Sequence, residues 1–140
     1  MLGGNGNDDL NGGGDNDLVR GDAGADTLNG DAGDDRLFGG DDDDVLIGGA
    51  GNDAMNGGEG ADTFIFRQGD GNDTITDFED GIDLIDISDF AGSSTYNIIA
   101  DPALSATDNA FIIFFATGET LRIESADGSD FTFTSADFIL

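Results

Sequence analysis

GGAGNDAMN, residues 48–56, opens on two glycines, has a third glycine at its fourth place, an aspartate at its sixth and an apolar residue at its eighth. The same frame holds on both sides. Counted in nines from Gly3, the chain reads GGNGNDDLN, GGGDNDLVR, GDAGADTLN, GDAGDDRLF, GGDDDDVLI, GGAGNDAMN and GGEGADTFI, ending at Ile65. Asp8, Asp17, Asp26, Asp35, Asp44, Asp53 and Asp62 fill the sixth place, and Leu10, Val19, Leu28, Leu37, Leu46, Met55 and Phe64 fill the eighth. After two extra residues, Phe66 and Arg67, an imperfect eighth copy, QGDGNDTIT, spans residues 68–76 and puts Asp73 and Ile75 in those places. A fixed period of this length marks a stacked repeat architecture.

The repeat's chemistry predicts its shape. Glycine reaches positive φ at no steric cost, so six glycine-rich residues are expected to form a tight turn and the other three a short strand whose middle residue points inward. Two such units per coil stack as a flattened parallel helix around a narrow apolar interior. One apolar side chain in nine is thin cohesion for so much ordered backbone. The aspartates add to the deficit, because stacking brings each sixth-place carboxylate near that of the repeat two along. A divalent cation between them turns repulsion into attraction. Calcium suits such a site, being a hard ion that takes six to eight oxygen ligands in flexible geometry, whereas magnesium demands a strict octahedron.

Composition narrows the function classes. The chain of 140 residues carries 31 acidic and 4 basic residues, a formal charge of -27. This balance excludes nucleic acid as a direct partner, since phosphate needs cations the chain lacks. It also argues against anionic membrane surfaces. The acids are 27 Asp against 4 Glu, a bias toward the short carboxylate that suits turns rather than toward mere solvation. Cys and His are absent, which removes disulfides, thiolate or zinc clusters and any His-based triad. With no Lys either and no convergent acid–base pair outside the repeats, a catalytic role is not expected. The longest apolar run, FIIFFA at 111–116, is far too short to span a bilayer. Met1 runs straight into glycine and aspartate, so no N-terminal signal peptide is expected.

Composition shifts near residue 77. Eight of the eleven phenylalanines follow it, and ITDF, IDLIDIS, YNIIA, FIIFFA, TLRIES, FTFT and DFIL read as short strands. FIIFFATGETLRIE is expected to form a hairpin turning at Thr117 and Gly118, and ADPALSA at 100–106 at most a single helical turn. The expected division is therefore repeats over 3–76 and a β-rich cap over 77–140 that covers the open end of the array. Arg20, Arg36, Arg67 and Arg122 are expected to pair with acids on the surface.

The pattern GGxGxDxUx, with U apolar, resembles the calcium-binding nonapeptide of the RTX, or hemolysin-type, family. Residues 60–88 resemble the segment that follows the repeats in serralysin-type exoproteases and other type I secreted proteins. TSADFIL resembles that family's extreme C-terminal secretion signal at Asp137, Phe138, Ile139 and Leu140. The resemblance implies a right-handed parallel β-roll and a non-catalytic module that binds about five to six calcium ions.

It also implies ligand sets. One turn supplies carbonyls from its second and fourth places and its sixth-place carboxylate, and the turn two repeats on supplies carbonyls from its first and third places and its own carboxylate. The first site then joins Gly4, Gly6 and Asp8 to Gly21, Ala23 and Asp26, and the second joins Gly13, Asp15 and Asp17 to Gly30, Ala32 and Asp35. A third joins Asp22, Gly24 and Asp26 to Gly39, Asp41 and Asp44, and a fourth joins Asp31, Gly33 and Asp35 to Gly48, Ala50 and Asp53. A fifth joins Gly40, Asp42 and Asp44 to Gly57, Glu59 and Asp62. A sixth joins Gly49, Gly51 and Asp53 to Asp70 and Asp73 across the insertion, where the register at Gln68 stays open. Asp77 and Asp83 are further candidates for a terminal ion with Asp62.

Asp15, Asp22, Asp31 and Asp42 replace glycines in this scheme. The ligand there is a carbonyl, and Asp tolerates left-handed backbone better than most residues. An EF-hand is excluded, because DDDD at 41–44 lacks the loop glycine and the twelfth-place Glu. Six ions would bring the charge from -27 to -15. Extracellular modules of this kind bind with Kd of roughly 10⁻⁴ to 10⁻³ M, which implies a chain that is expanded inside the cell, leaves by a type I apparatus and folds outside. The alternative is a carbohydrate-binding accessory module like the R-modules of secreted alginate epimerases. Arg20 and Arg36, which fall in alternate repeats and so on one side of the roll, favour it.

Overall fold

The computed structural model describes residues 1–90, 96–99, 110–115, 117–126 and 136–140. Fourteen strands account for most of them: β1 (Leu2–Asn5), β2 (Asp9–Gly14), β3 (Leu18–Ala23), β4 (Thr27–Ala32), β5 (Arg36–Asp41), β6 (Val45–Ala50), β7 (Ala54–Glu59), β8 (Thr63–Ile65), β9 (Asn72–Phe78), β10 (Leu84–Asp86), β11 (Tyr96–Ile99), β12 (Ala110–Phe115), β13 (Thr120–Ser125) and β14 (Phe138–Ile139). Odd strands β1 to β9 lie side by side in one sheet and even strands β2 to β10 in the other. The chain crosses from sheet to sheet at every turn, and two repeats complete one coil of a parallel β-roll.

The eighth-place residues form the interior. On one sheet Leu10, Leu28, Leu46, Phe64 and Ile85 are successive register partners, and on the other Val19, Leu37, Met55, Ile75 and Ile123. From Val19 onward these side chains are fully or almost fully buried. Ile85 and Ile123, outside the repeats, extend the same two columns.

The strands correct one expectation. Each full strand of the roll runs for six residues, from the seventh place of one repeat to the third place of the next, and the turn keeps only the fourth to sixth places. The first-place glycine lies within the strand. Register partners run Asn11 with Asn29 and then Gly13 with Asp31, passing over Gly12 and Gly30. The strand therefore continues through that glycine while the pairing skips it.

Both sheets continue beyond residue 77. Antiparallel β12 and β13 form the expected hairpin, closed by Gly118 N–H donating to Phe115 O at 3.0 Å, and β13 adds to β9 in parallel. At this end Phe66, Phe90 and Phe115 stack, with ring centroids 4.9 Å apart for Phe66 and Phe115 and 4.1 Å for Phe90 and Phe115. The C-terminal strand β14 adds in parallel to β10, with Ile85 N–H donating to Asp137 O at 2.9 Å and Ile87 N–H to Ile139 O at 3.0 Å. FTFT and ADPALSA lie outside the described residues. No described helix is long and apolar enough to cross a membrane.

Candidate metal centre

The turns stack into two files, one along each edge of the roll. Asp8, Asp26, Asp44 and Asp62 follow one edge, and Asp17, Asp35, Asp53 and Asp73 the other. From Asp26 onward each sixth-place carboxylate is anchored by one oxygen, because the backbone N–H of the sixth-place residue one coil earlier donates to its Oδ1. The distance is 2.7 Å from Asp8 to Asp26, Asp17 to Asp35, Asp26 to Asp44 and Asp35 to Asp53, 2.9 Å from Asp44 to Asp62 and 3.0 Å from Asp53 to Asp73. The other oxygen has no donor. Oδ2 of Asp8, Asp26, Asp35, Asp44, Asp53, Asp62 and Asp73 is buried and unpartnered. An acceptor buried in this way costs about 1–3 kcal/mol, and more when charged.

What faces these oxygens explains the first-place glycine. A Cβ at Gly3 would sit 2.7 Å from Asp8 Oδ2 and 2.8 Å from Gly21 O, and one at Gly12 would sit 2.9 Å from Gly30 O and 3.1 Å from Asp17 Oδ2. The same juxtaposition recurs for Asp26 with Gly39, Asp35 with Gly48 and Asp44 with Gly57. In five of the six expected sites, then, the carboxylate and the first-place carbonyl of the next coil border one small volume. In the sixth, the three atoms nearest a Cβ at Gly48 all belong to the Asp53 side chain. The extra Phe66 and Arg67 fall in the next coil there.

The second and fourth places turn the backbone. Gly4, Gly13, Asp22, Asp31, Gly40, Gly49 and Gly58 have positive φ, as do Gly6, Asp15, Gly24, Gly33, Asp42, Gly51 and Gly60. The four aspartates adopt φ of 72° to 83°, near ideal left-handed helix, while the glycines spread from 95° to 158°. Third-place carbonyls accept from the fourth-place N–H of the coil before, from Gly6 to Ala23 at 2.7 Å, Gly24 to Asp41 at 3.2 Å, Gly33 to Ala50 at 3.0 Å and Gly51 to Asp70 at 2.7 Å. Each keeps its second lone pair. Ala32 and Glu59 close their strands at the same place. Asp70 thus holds the third place after the insertion, and Gly71 bridges to Gly51.

Among the described residues no three acidic, histidine or cysteine side chains converge on one point. A cation at these turns would draw on main-chain oxygens together with the carboxylates. Such an all-oxygen donor set fits calcium.

The family model for the RTX calcium-binding nonapeptide repeat, in four copies, matches residues 2–37 and 29–64. The turns within residues 2–64 are RTX calcium-binding repeats. Two solved structures are similar to the chain. They are the AlgE6R3 and AlgE6R2 subunits of the mannuronan C5-epimerase of Azotobacter vinelandii. AlgE6R3 is 26% identical, with 96% of this chain and 78% of that one covered and a TM-score of 0.46. AlgE6R2 is 23% identical, with 100% and 91% covered and a TM-score of 0.48. No curated protein matches the chain.

Electrostatics in the RTX turns follow from burial. Loss of solvent pushes the carboxyls of Asp44, Asp53 and Asp62 up to about 6 and that of Asp73 up to about 8, with neighbouring carboxylates adding to the rise. The anchoring backbone N–H groups only partly oppose it. Supplying positive charge at Oδ2 is the chemistry that calcium brings to an RTX turn.

The first edge ends differently. Asp83 accepts from Asp62 N–H at 3.0 Å through Oδ1 and from Glu79 N–H at 2.8 Å through Oδ2, so both its oxygens have donors. Asp77 accepts from Gly57 and Gly58 N–H, each at 3.0 Å, where the pairing of β7 with β9 has stopped after Met55 and Ile75. Protein donors close the file at these two residues.

Sequence reading missed a second ladder at the fifth place. Asp34 N–H donates to Asn16 Oδ1 at 3.0 Å, Asn52 N–H to Asp34 Oδ1 at 3.0 Å and Ala61 N–H to Asp43 Oδ1 at 2.8 Å. It runs opposite in sense to the sixth-place ladder. Its signal was present as Asn or Asp at the fifth place of six repeats, at residues 7, 16, 34, 43, 52 and 72.

Proposed function

We propose that this chain is a calcium-triggered folding module of a type I secreted protein, itself non-catalytic, which is expanded at cytosolic calcium and assembles into the roll outside the cell. The observation that carries this reading is the row of seven buried, donorless carboxylate oxygens inside a chain of charge -27. Without cations the stacked coils hold like charges at close range in poor solvent, and the expanded chain wins. With calcium in each turn, bridged by the carboxylates and carbonyls named above, the same groups hold coil to coil. Five or six ions are the count we assign, the site at Asp53 and Asp73 being the one where the two-residue insertion breaks the repeat. The serralysin-like stretch at 60–88 and the tail at 137–140 support the C-terminal folding and secretion role.

Circular dichroism during a calcium titration tests the reading. The far-UV β signal is expected to be largely absent in chelator, to rise cooperatively at roughly 10⁻⁴ to 10⁻³ M calcium and to collapse when chelator is restored. A full β signal in chelator at neutral pH would refute it.

A second reading, a saccharide-binding accessory role, is favoured by one specific feature. Arg20 and Arg36 lie on adjacent strands, on the same outer face.

A further inference from the structure

We infer that Asn29 and Asn56 are sites of spontaneous modification, where the expanded chain closes onto the following glycine and reopens as isoaspartate, and that the calcium-bound roll protects both. The inference rests on the reading that the chain is expanded without calcium, and it gives waiting in that state a chemical consequence.

Four of the ten asparagines precede glycine: Asn5, Asn11, Asn29 and Asn56. Asn7, Asn16, Asn52 and Asn72, at the fifth place, all precede aspartate. Glycine offers its nitrogen with no Cβ in the way, so in a flexible chain an Asn–Gly pair reaches the reactive approach readily. The glycine nitrogen attacks Asn Cγ and gives up its proton, the Cγ–Nδ2 bond breaks, and Nδ2 leaves with that proton as ammonia. Water then opens the five-membered imide. Attack at Cγ restores the main chain as aspartate, whereas attack at the α-carbonyl routes the main chain through Cβ and Cγ as isoaspartate. Nothing is oxidised or reduced.

The roll holds two of these pairs out of reaction. Asn29 and Asn56 lie in strands β4 and β7, while ring closure needs the glycine nitrogen brought to roughly 3–3.5 Å from Cγ in the right direction. Asn29 is tied at both ends of its amide, with Nδ2 donating to Asp31 Oδ1 at 2.8 Å and Asp31 N–H donating to Asn29 Oδ1 at 3.3 Å. Asp22 grips the ninth-place side chain before it in the same way, accepting from Arg20 Nη2 at 2.8 Å. Asn56 Nδ2 donates to Thr76 Oγ1 at 3.3 Å, and that hydroxyl donates to Met55 O at 3.1 Å. Here the nucleophile is tied as well, since Gly57 N–H donates to Asp77 Oδ1 at 3.0 Å. Asn5 and Asn11 differ. They are exposed on β1 and β2, the edge strands of the two sheets, and their side chains have no partner among the described residues.

Isoaspartate at either protected position does not fit the roll. Gly30 O faces the Asp17 carboxylate and Gly57 O the Asp44 carboxylate. One extra main-chain carbon just before the glycine displaces that carbonyl and breaks the register running through Leu28 or Met55. A chain modified while expanded therefore loses the second or the fifth RTX site when calcium arrives.

The test ages the full chain at mildly alkaline pH, once in saturating calcium and once in chelator, and maps aspartate and isoaspartate by mass spectrometry of its peptides. Conversion at Asn29 and Asn56 is expected to be about tenfold or more slower in calcium than in chelator, with much weaker protection at Asn5 and Asn11. When the chelator-aged sample is moved into calcium and separated by size, isoaspartate at 29 and 56 should collect in the expanded fraction. The double variant Asn29→Gln with Asn56→Gln, shown by dichroism to fold with calcium when fresh, should keep its β signal after the same ageing; the size separation decides the matter if that variant does not fold. Equal rates at Asn29 and Asn56 in the two buffers, in a chain whose dichroism switches with calcium, would remove this inference alone, as would isoaspartate spread evenly between the fractions. A fresh chain with full β signal in chelator would end the folding reading with it.

Discussion

At the scale of single residues, the repeat's glycines divide into two kinds, and the division makes a prediction. Those at the second and fourth places turn the chain with positive φ. Those at the first place are there because a side chain has no room beside the carboxylate and the next coil's carbonyl. Gly39→Ala drives a methyl group onto the Asp44 carboxylate and the Gly57 carbonyl and is expected to cost about 1–3 kcal/mol as an overpacking change, with a fall in calcium affinity. Gly14→Ala, where no atom lies within 4 Å and φ is not positive, is expected to be nearly neutral. Urea denaturation of both variants in saturating calcium decides it; equal losses would mean that the first-place glycine answers only to backbone conformation. The left-handed aspartates were legible in advance, since Asp15, Asp22, Asp31 and Asp42 stand where the pattern needs glycine. The outward grip of Asp22 on Arg20 was not, because it depends on which way a side chain leaves the turn.

At the scale of the turn and its strands, the buried carboxylates set a pH dependence whose sign follows from their shift. In the calcium-free roll Asp44, Asp53 and Asp62 keep their protons up to about pH 6, Asp83 to about 7 and Asp73 to about 8, against an ordinary value of 3.8. Between those limits the folded chain binds more protons than the unfolded one, so stability is fully present below 3.8 and is lost as pH rises through 6 to 8. Calcium-free protein is therefore expected to show more β signal at about pH 4.5 than at about pH 7.5. In calcium the trend reverses, because protons compete with the ion for the same oxygens. Dichroism that is flat across this range in calcium-free buffer would mean that the sixth-place carboxylates do not govern assembly. Strand length escaped the sequence reading at this scale. A glycine-rich run looks like turn throughout, whereas the first-place glycine lies inside the strand.

At the scale of the whole molecule, the charge of -27 and the narrow core make the roll conditional, and the C-terminal tail shares that condition. Phe138 packs on the core and Asp137 is buried only once β10 is formed. Deleting residues 137–140 is expected to abolish export through a type I apparatus. The purified truncated chain should still gain its β signal with calcium, since the RTX turns are untouched. Undiminished export of the truncated chain would show that the tail is not the address. The hairpin at Thr117 and Gly118 was visible in the sequence, as a local turn between two apolar runs. Its place as a continuation of the odd-strand sheet was not, because pairing β13 with β9 joins segments with almost fifty residues between partners, and no local pattern encodes that.

The period of nine was enough to determine the parallel roll, the two residues that point inward and toward the ions, and the chemistry of the ion, because stacking identical units repeats every side-chain environment at the same interval. Tertiary structure alone decided where that regularity stops. Asp70 takes the third place beside Gly51 after the insertion, Asp83 and Asp77 close one file with protein N–H groups, and Arg36 comes to rest over Phe38. Each of these depends on what a neighbouring coil presents in space, which the repeat cannot specify at the point where it ceases to repeat.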